Sequence, residues 1–222
     1  MGRDGVARVA LIDPAREALH AVWTAATASS ALEWVSLLTG VAYALLAVRR
    51  IRWCWAFGAV SSGILVWLAW RAQLPMQAAL QSCYVAMSAW GFWQWSRAGD
   101  GAAPPISVWP LRVHVLLIAC VVGLGLLAAP LVAQWTQAAW PRLDTTTLFA
   151  SLLATAMVAV AKLENWLYWI IIDAASVFLY AAQGLWFVAL LYFLYLCIAV
   201  SGYVEWRRRW RAALCGPVAE RA

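Results

Sequence analysis

Residues 162–173 read K-L-E-N-W-L-Y-W-I-I-I-D, the start of a long apolar run that nevertheless contains an amide, two indoles, a phenol and a carboxylate. Polar and ionisable side chains are costly to place inside a membrane, so they usually face a cavity, a partner or a substrate path. At 3.6 residues per turn, one helix face carries a series of such side chains: Asn165, Trp169, Asp173, Ser176, Tyr180 and Gln183. This face offers hydrogen-bonding groups and a flat aromatic surface within an apolar helix.

The composition indicates a membrane protein. Of the 222 residues, 65% are hydrophobic and 12% are charged, whereas a soluble domain is about half apolar and a quarter charged. The formal net charge of +6 comes from arginines in short clusters between apolar runs. That distribution is typical of a topology signal rather than a nucleic-acid-binding face. The five cysteines form no CxxC motif and are interpreted as packing residues.

Seven apolar segments are long enough to cross a hydrocarbon core of about 30 Å. They are predicted at residues 31–48, 54–70, 77–95, 113–133, 145–162, 165–182 and 185–205. Before them, Asp13 and Pro14 are typical of a helix start, and the apolar face of Leu19, Val22, Trp23 and Ala26 predicts an interfacial helix. The expected fold is therefore all-α and polytopic.

Basic residues predict the orientation, since cytoplasmic loops carry the excess of arginine and lysine. The first, third and fifth loops and the C-terminus hold most of them, with clusters at 49–52 and 207–211. We therefore expect a cytoplasmic C-terminus and an external N-terminus, although Arg3, Arg8 and Arg16 of the tail argue mildly against this.

The chain contains an internal repeat. A shift of 111 residues aligns the first three segments with the last three and matches Trp55 with Trp166, Tyr84 with Tyr195, Gly91 with Gly202, Trp95 with Trp206 and Arg97 with Arg208. Two three-helix bundles in the same orientation, joined by a linker helix, form a parallel repeat, as in known transporters whose substrate sites lie between the halves. The predicted organisation is a tail and amphipathic helix (1–30), a first bundle (31–96), a linker with the fourth helix (97–144), a second bundle (145–206) and a basic cytoplasmic tail (207–222).

Further polar faces extend the candidate site. The third segment carries Gln77, Gln81, Tyr84 and Ser88 at helical spacing, and this pattern favours a cavity lining over interhelical hydrogen bonding, which contributes only about 0.6 kcal/mol on average. The seventh segment has a weaker version in Tyr192 and Tyr195. Most of the 17 tryptophans fit interfacial belts, but Trp90, Trp166 and Trp169 lie beside polar residues and are candidates for ligand contact.

The sequence predicts binding rather than catalysis. It has no P-loop, HExxH or GxSxG motif, and its two histidines are His20 and His114. No cofactor, metal site or enzymatic activity is therefore expected. Amides suit amide and hydroxyl groups, indoles suit a flat cationic ring, and one carboxylate balances one positive charge. These features point to a polar aromatic solute such as a nucleoside or vitamin, bound by a transporter or by a non-transporting membrane sensor.

Three stretches resemble the Pnu vitamin transporter family. They are E-N-W-L-Y-W-I-I-I-D at 164–173, L-Q-S-C-Y-V-A-M-S-A-W-G-F-W-Q-W at 80–95 and A-L-L-Y-F-L-Y-L-C-I-A-V-S-G-Y-V-E-W at 189–206. The likeness covers residues 31–210, and the nicotinamide riboside transporters are the most similar members. Trp90 is a departure, because a tyrosine is expected there.

The resemblance carries several expectations. It implies a 3+1+3 helix arrangement similar to the SWEET sugar carriers, a homotrimer in the bacterial inner membrane, and facilitated diffusion of nicotinamide riboside driven by a cytoplasmic riboside kinase. Thiamine or a flavin is the alternative cargo. The implied riboside-binding residues are Asn165, Trp166, Trp169, Asp173, Gln81, Tyr84 and Trp90, to which the polar faces add Gln77, Ser88, Tyr192 and Tyr195 as substrate-binding candidates.

Overall fold

The computed structural model describes residues 14–98, 103–135 and 140–215, and the predicted helix start at Asp13 lies outside them. The described chain is all-α, as predicted. Its eight helices are α1 (Pro14–Ala28), α2 (Ala31–Arg49), α3 (Cys54–Arg71), α4 (Pro75–Ser96), α5 (Leu111–Trp135), α6 (Pro141–Ala159), α7 (Asn165–Ala182) and α8 (Trp186–Cys215).

Five of these helices are long and apolar enough to cross a membrane, namely α2, α3, α5, α7 and α8. The sequence also predicts membrane crossings at α4 and α6, but these two helices do not reach the hydropathy of the other five. The reason is that α4 carries Gln77, Gln81 and Ser88, while α6 carries a series of threonines and serines.

The boundaries of two helices, α6 and α8, differ from the sequence prediction by three residues or more. Helix α8 continues ten residues beyond 205, and in this continuation Glu205 pairs with Arg208 at 2.6 Å and with Arg209 at 2.7 Å, which favours the helix modestly. Helix α6 begins at Pro141, in keeping with the preference for proline in the first turn. It ends at Ala159 rather than 162, because Ala161 adopts a positive φ of 51°.

The helices pack mainly against their neighbours in the chain. Helices α2, α3 and α4 (the first half) pack in succession, and so do α6, α7 and α8 (the second half), while α5 packs on α6. The halves meet where α2 contacts α8 and where α4 contacts α6. Helix α1 packs on α8 and leaves Leu19 and Trp23 exposed.

One end of the contact between the halves is closed by four buried tryptophans. Trp55 packs edge-on against Trp95 with ring centroids 5.7 Å apart, and Trp166 packs in the same way against Trp206 at 5.5 Å. In each half a glycine lies directly against the first tryptophan of the pair. A Cβ at Gly202 would lie 2.6 Å from the Trp166 ring, and a Cβ at Gly91 would overlap the Trp55 ring. Residues 111 positions apart thus make matching contacts.

The indole N–H groups of these pairs join one half to the other. Trp95 Nε1 donates to the Ala159 carbonyl at 3.0 Å, and Trp206 Nε1 donates to the Val48 carbonyl at 3.1 Å. We call these two reciprocal hydrogen bonds the tryptophan clasp. Both acceptors lie at the C-terminal end of the first helix of the opposite half.

The linker segment 103–110 lies against the same end of the molecule. Ser107 donates its N–H to the Ala161 carbonyl at 3.1 Å and accepts from the Leu163 N–H at 2.9 Å. Lys162 Nζ donates to Ser107 Oγ at 2.8 Å, and Glu164 accepts the Trp109 N–H at 2.8 Å. The loop between α6 and α7 is therefore fixed where α7 begins.

Candidate functional site

A cavity of about 1170 Å³ lies between the two halves. At one end its lining includes Gln73, Leu74, Gln77 and Gln183, which are exposed around the α3–α4 turn and the end of α7. At the other end its lining includes Ala47, Val158, Trp166 and Ala199, which are buried beside the tryptophan clasp. The cavity is therefore open at one end and closed at the other.

The polar face predicted on α7 lines this cavity. Trp169, Asp173, Ser176, Tyr180 and Gln183 all border it. Asp173 is only 3% exposed, and within the described residues its carboxylate has no hydrogen bond or ion pair. A buried carboxylate without a partner is costly, so Asp173 is a candidate for contact with a ligand in the cavity.

The faces predicted on α4 and α8 line the same space. Gln77, Gln81, Tyr84 and Ser88 contribute one wall from α4. Helix α8 contributes Tyr192 and Tyr195. The Tyr192 ring stacks on Tyr180 of α7 at 5.2 Å with the planes 14° apart, which gives the second half a flat aromatic surface beside Asp173 on α7. The structure thus brings together polar faces that are about 80 to 110 residues apart in sequence.

Two residues predicted to contact substrate do not line the cavity. Asn165 is fully buried at the start of α7, where its Nδ2 donates to the Lys162 carbonyl at 2.5 Å, so its role here is to fix the turn. Trp90 is 38% exposed on the outer side of α4, because two residues turn the helix by about 200° from Ser88. Trp166 borders the cavity but is 4% exposed and packs on Trp206, so it forms the closed end.

Helix α6 supplies lining residues that the sequence interpretation missed. Asp144, Thr147, Ser151 and Thr155 border the cavity from this helix. Their spacing of three and four residues is a helical stripe, and it is the signal that would have identified them. The sequence prediction for 145–162 is an apolar segment without a polar face.

The first half supplies further lining residues that were not predicted. They include Gly40 and Tyr43 of α2 together with Ser61 and Ser62 of α3. The buried Tyr43 hydroxyl has no hydrogen-bond partner in the described chain. Ser62, which the repeat matches with Asp173, borders the cavity from the opposite half.

Comparison with known proteins decides the family. A family model described as nicotinamide mononucleotide transporter matches residues 30–208. The chain belongs to this family. The resemblance found in the sequence is thereby confirmed, and helix α1 lies outside the matched region.

Two relatives with a similar sequence are named as transporters. The riboflavin/roseoflavin transporter RibM of Streptomyces davaonensis is 26% identical over 199 residues, covering 86% of this chain and 88% of RibM. The nicotinamide riboside transporter PnuC of Escherichia coli K12 is 26% identical over 176 residues, covering 68% of this chain and 74% of that protein. The two relatives carry different vitamins at the same level of identity.

A solved structure shares the fold. The crystal structure of the vitamin B3 transporter PnuC superposes with a TM-score of 0.65 at 21% identity, over 87% of this chain and 90% of that one. Together with the five apolar helices, the family membership makes this chain a multi-pass membrane protein of a vitamin transporter family.

The types of ionisable residue that line the cavity indicate which class of ligand it suits. Among the described residues that line it, Asp144 and Asp173 are the carboxylic acids, and none is lysine, arginine or histidine. Elsewhere in the described chain, no three His, Cys, Asp or Glu side chains converge as metal ligands. The cavity thus offers carboxyl groups, amides, hydroxyls and aromatic rings and no basic group in its described lining, a combination that suits a cationic aromatic solute.

Proposed function

We propose that the protein carries nicotinamide riboside across the bacterial inner membrane and binds it in the cavity between the two halves. The observation that carries this proposal is the pair of carboxylates, Asp173 and Asp144, in a cavity whose described lining has no basic side chain. Nicotinamide riboside has a pyridinium cation, a carboxamide and ribose hydroxyls. Each of these groups has a chemical counterpart among the lining residues.

Charge argues against two related ligands. Nicotinamide mononucleotide adds a phosphate, whose negative charge would be repelled by Asp173 in a low-dielectric site. Riboflavin is neutral and would leave the buried carboxylate without a partner. Riboflavin nevertheless remains the second candidate, because RibM is as similar to this chain as PnuC is. Thiamine, also a cation, is the third.

The proposed binding residues follow from the lining. Trp169 and the stacked tyrosines, Tyr180 and Tyr192, would pack on the nicotinamide ring, and Asp173 would balance its charge. Amide and hydroxyl contacts would come from α4 and α8, with Gln77, Gln81, Tyr84, Ser88 and Tyr195. Asn165 and Trp90 are not among them, because neither side chain borders the cavity.

Transport requires access from each side in turn. The clasped end carries Arg49, Arg50, Arg52 and Lys162 and so faces the cytoplasm by the positive-inside rule. The cavity would then be open to the outside, and inward release would require the tryptophan clasp to break. We infer seven membrane helices in a SWEET-like 3+1+3 arrangement, with α4 and α6 as cavity-lining spans and α5 as the linker, a cytoplasmic C-terminus and an external N-terminus.

The free energy for net uptake would come from another protein rather than from this chain. The sequence has no P-loop, so facilitated diffusion fits it better than primary active transport. A cytoplasmic riboside kinase would trap the product by phosphorylation. A homotrimer is the assembly that the family resemblance implies. Proteoliposomes should accumulate nothing without such trapping and should equilibrate the riboside in both directions.

Competition binding to the purified protein tests the identity of the cargo. Labelled nicotinamide riboside should be displaced by unlabelled riboside at much lower concentration than by thiamine, riboflavin or the mononucleotide. Stronger displacement by riboflavin or thiamine would replace the proposed cargo. Binding of the riboside without any counterflow exchange would instead favour a membrane sensor.

A further inference from the structure

Helix α6 lines the cavity with three hydroxyl groups in a row. Thr147, Ser151 and Thr155 are spaced four residues apart, so their side chains follow one face of the helix. All three border the cavity, and all are at least half-buried, with Thr155 the most enclosed. We call this set the hydroxyl ladder.

Each hydroxyl of the ladder already uses its hydrogen. The Thr147 hydroxyl donates to the Leu143 carbonyl at 2.9 Å, the Ser151 hydroxyl to the Thr147 carbonyl at 2.7 Å, and the Thr155 hydroxyl to the Ser151 carbonyl at 2.8 Å. A hydroxyl has one hydrogen to donate and two lone pairs to accept with. In this arrangement the Thr147 and Thr155 oxygens offer acceptors to the cavity, and the Ser151 hydroxyl also shares a hydrogen bond with the Tyr84 hydroxyl of α4.

We propose that the hydroxyl ladder is the specificity-determining subsite for the sugar, accepting hydrogen bonds from the ribose hydroxyls of the substrate. The inference rests on the proposed function, since it assigns part of the same cavity. Ribose hydroxyls are donors that lose water on entering an enclosed site, and each one left unpaired weakens binding. Oxygens that accept hydrogen bonds supply what these donors need.

The position of α6 supports this assignment. The helix contacts both α4 and α7, and all three helices line the cavity. The ladder therefore lies between the amide-bearing wall of α4 and the α7 wall that holds Trp169 and Asp173. A substrate whose cationic ring packs on α7 has its sugar in the same cavity as the ladder.

Two independent filters then define the cargo. The carboxylate of Asp173 favours cations, and the ladder favours ligands with several hydroxyl donors. Thiamine satisfies the first filter but carries a single hydroxyl. Riboflavin satisfies the second but is neutral. Nicotinamide riboside satisfies both.

The alternative role for the ladder is packing, because serine and threonine often donate to their own helix backbone. Thr39 of α2 provides the matched control. Its hydroxyl donates to the Val35 carbonyl at 2.7 Å in the same way, but the residue does not line the cavity. Replacing Thr39 removes the same backbone contact without changing the site.

The experiment measures binding of nicotinamide riboside and of 1-methylnicotinamide, the same cationic ring without the sugar. Calorimetry is done on purified full-length protein, wild type and the variants Ser151→Ala, Thr155→Val and Thr39→Val. Each ladder variant should weaken riboside binding about 2- to 10-fold, the usual range for one neutral hydrogen bond. Neither ladder variant should change binding of 1-methylnicotinamide, and Thr39→Val should change neither ligand.

Three results would contradict the assignment. Ladder variants that weaken the binding of both ligands equally would show that the hydroxyl ladder acts through packing. Variants that weaken the binding of neither ligand would show that the ladder does not contact the substrate. Wild-type protein that binds both ligands equally well would show that the sugar is not recognised. Failure of the wild type to bind riboside at all would reject the proposed function instead, so the two failures are distinguishable.

Discussion

Replacing Trp206 by phenylalanine removes one donor of the tryptophan clasp while keeping an aromatic ring against Trp166. In the structure the Trp206 Nε1 donates to the Val48 carbonyl oxygen at 3.1 Å and lies 3.3 Å from the Ala47 carbonyl oxygen. If the clasp holds its end of the cavity shut, its loss shifts the population toward the state that is open at that end. The substitution therefore tests directly whether the tryptophan clasp acts as a gate, that is, whether it keeps one end of the cavity closed.

The size of the shift follows from the value of one interhelical hydrogen bond. Such bonds contribute about 0.6 kcal/mol on average in membrane proteins and up to about 1.7 kcal/mol. At about 1.4 kcal/mol per factor of ten, the open population should rise roughly 3- to 16-fold. The Trp95→Phe variant removes the matching bond to Ala159 and should act similarly. The two bonds join the same halves and break together, so the double variant should show the product of the two effects.

Cys54 is a built-in reporter of this opening. It is fully buried in the core cluster that contains Trp55, Trp95 and Trp206. Its rate of alkylation by a maleimide is measured in a background in which serine replaces the other four cysteines, Cys83, Cys120, Cys197 and Cys215. The rate should rise in proportion to the open population, while the melting temperature shows that the fold is retained.

The matched control is Trp93→Phe, which changes an exposed indole on the same helix as Trp95. Its alkylation rate should equal that of the unmodified background. The gate would be refuted if Trp206→Phe labelled Cys54 no faster than this control. It would also be refuted if faster labelling appeared only together with a loss of thermal stability, because global unfolding would then explain it.

The remaining predictions concern the binding surface and the packing of the second half. Trp169→Ala should weaken riboside binding roughly 2- to 30-fold, since a cation–π contact contributes about 0.5–2 kcal/mol. The control Trp140→Ala changes a residue outside the cavity lining and should leave riboside binding unchanged. Equal effects of the two substitutions in a binding assay would show that Trp169 does not contact the substrate. Asp173→Asn should weaken binding of the cationic riboside at least tenfold but not that of neutral riboflavin, and equal losses would show that the carboxylate acts through packing. Gly202→Ala places a methyl group 2.6 Å from the Trp166 ring, so it should lower stability by about 1–3 kcal/mol; an unchanged melting temperature would show that the ring can move aside.

Much of the fold is predictable from hydropathy and from the internal repeat. The predicted apolar segments coincide with the seven long helices α2 to α8 of the described chain, five of which are long and apolar enough to cross a membrane. The end of α8 is mispredicted because a run of arginines looks like a solvated tail. In the structure the segment stays helical, and Glu205 pairs with Arg208 and Arg209 at helical spacing along it.

The candidate site is predictable where polar groups interrupt an apolar helix at helical spacing, as they do on α4 and α7. Threonine and serine on α6 give a weaker signal, because a membrane helix can satisfy their hydroxyls with its own carbonyls. Asn165 and Trp90 show the opposite failure. Both are polar or aromatic residues in suitable segments, but only the tertiary structure shows that one fixes a turn and the other faces outward.

Counterflow in proteoliposomes tests the central claim most directly. Vesicles containing the purified protein are loaded with unlabelled nicotinamide riboside, and labelled riboside is added outside, without ATP, without an ion gradient and with an uncoupler present. If the protein is a riboside uniporter, label should enter rapidly, this entry should depend on internal riboside, and internal mononucleotide should not support it. Entry that requires a proton gradient, or entry supported better by internal riboflavin or thiamine than by riboside, would contradict this claim.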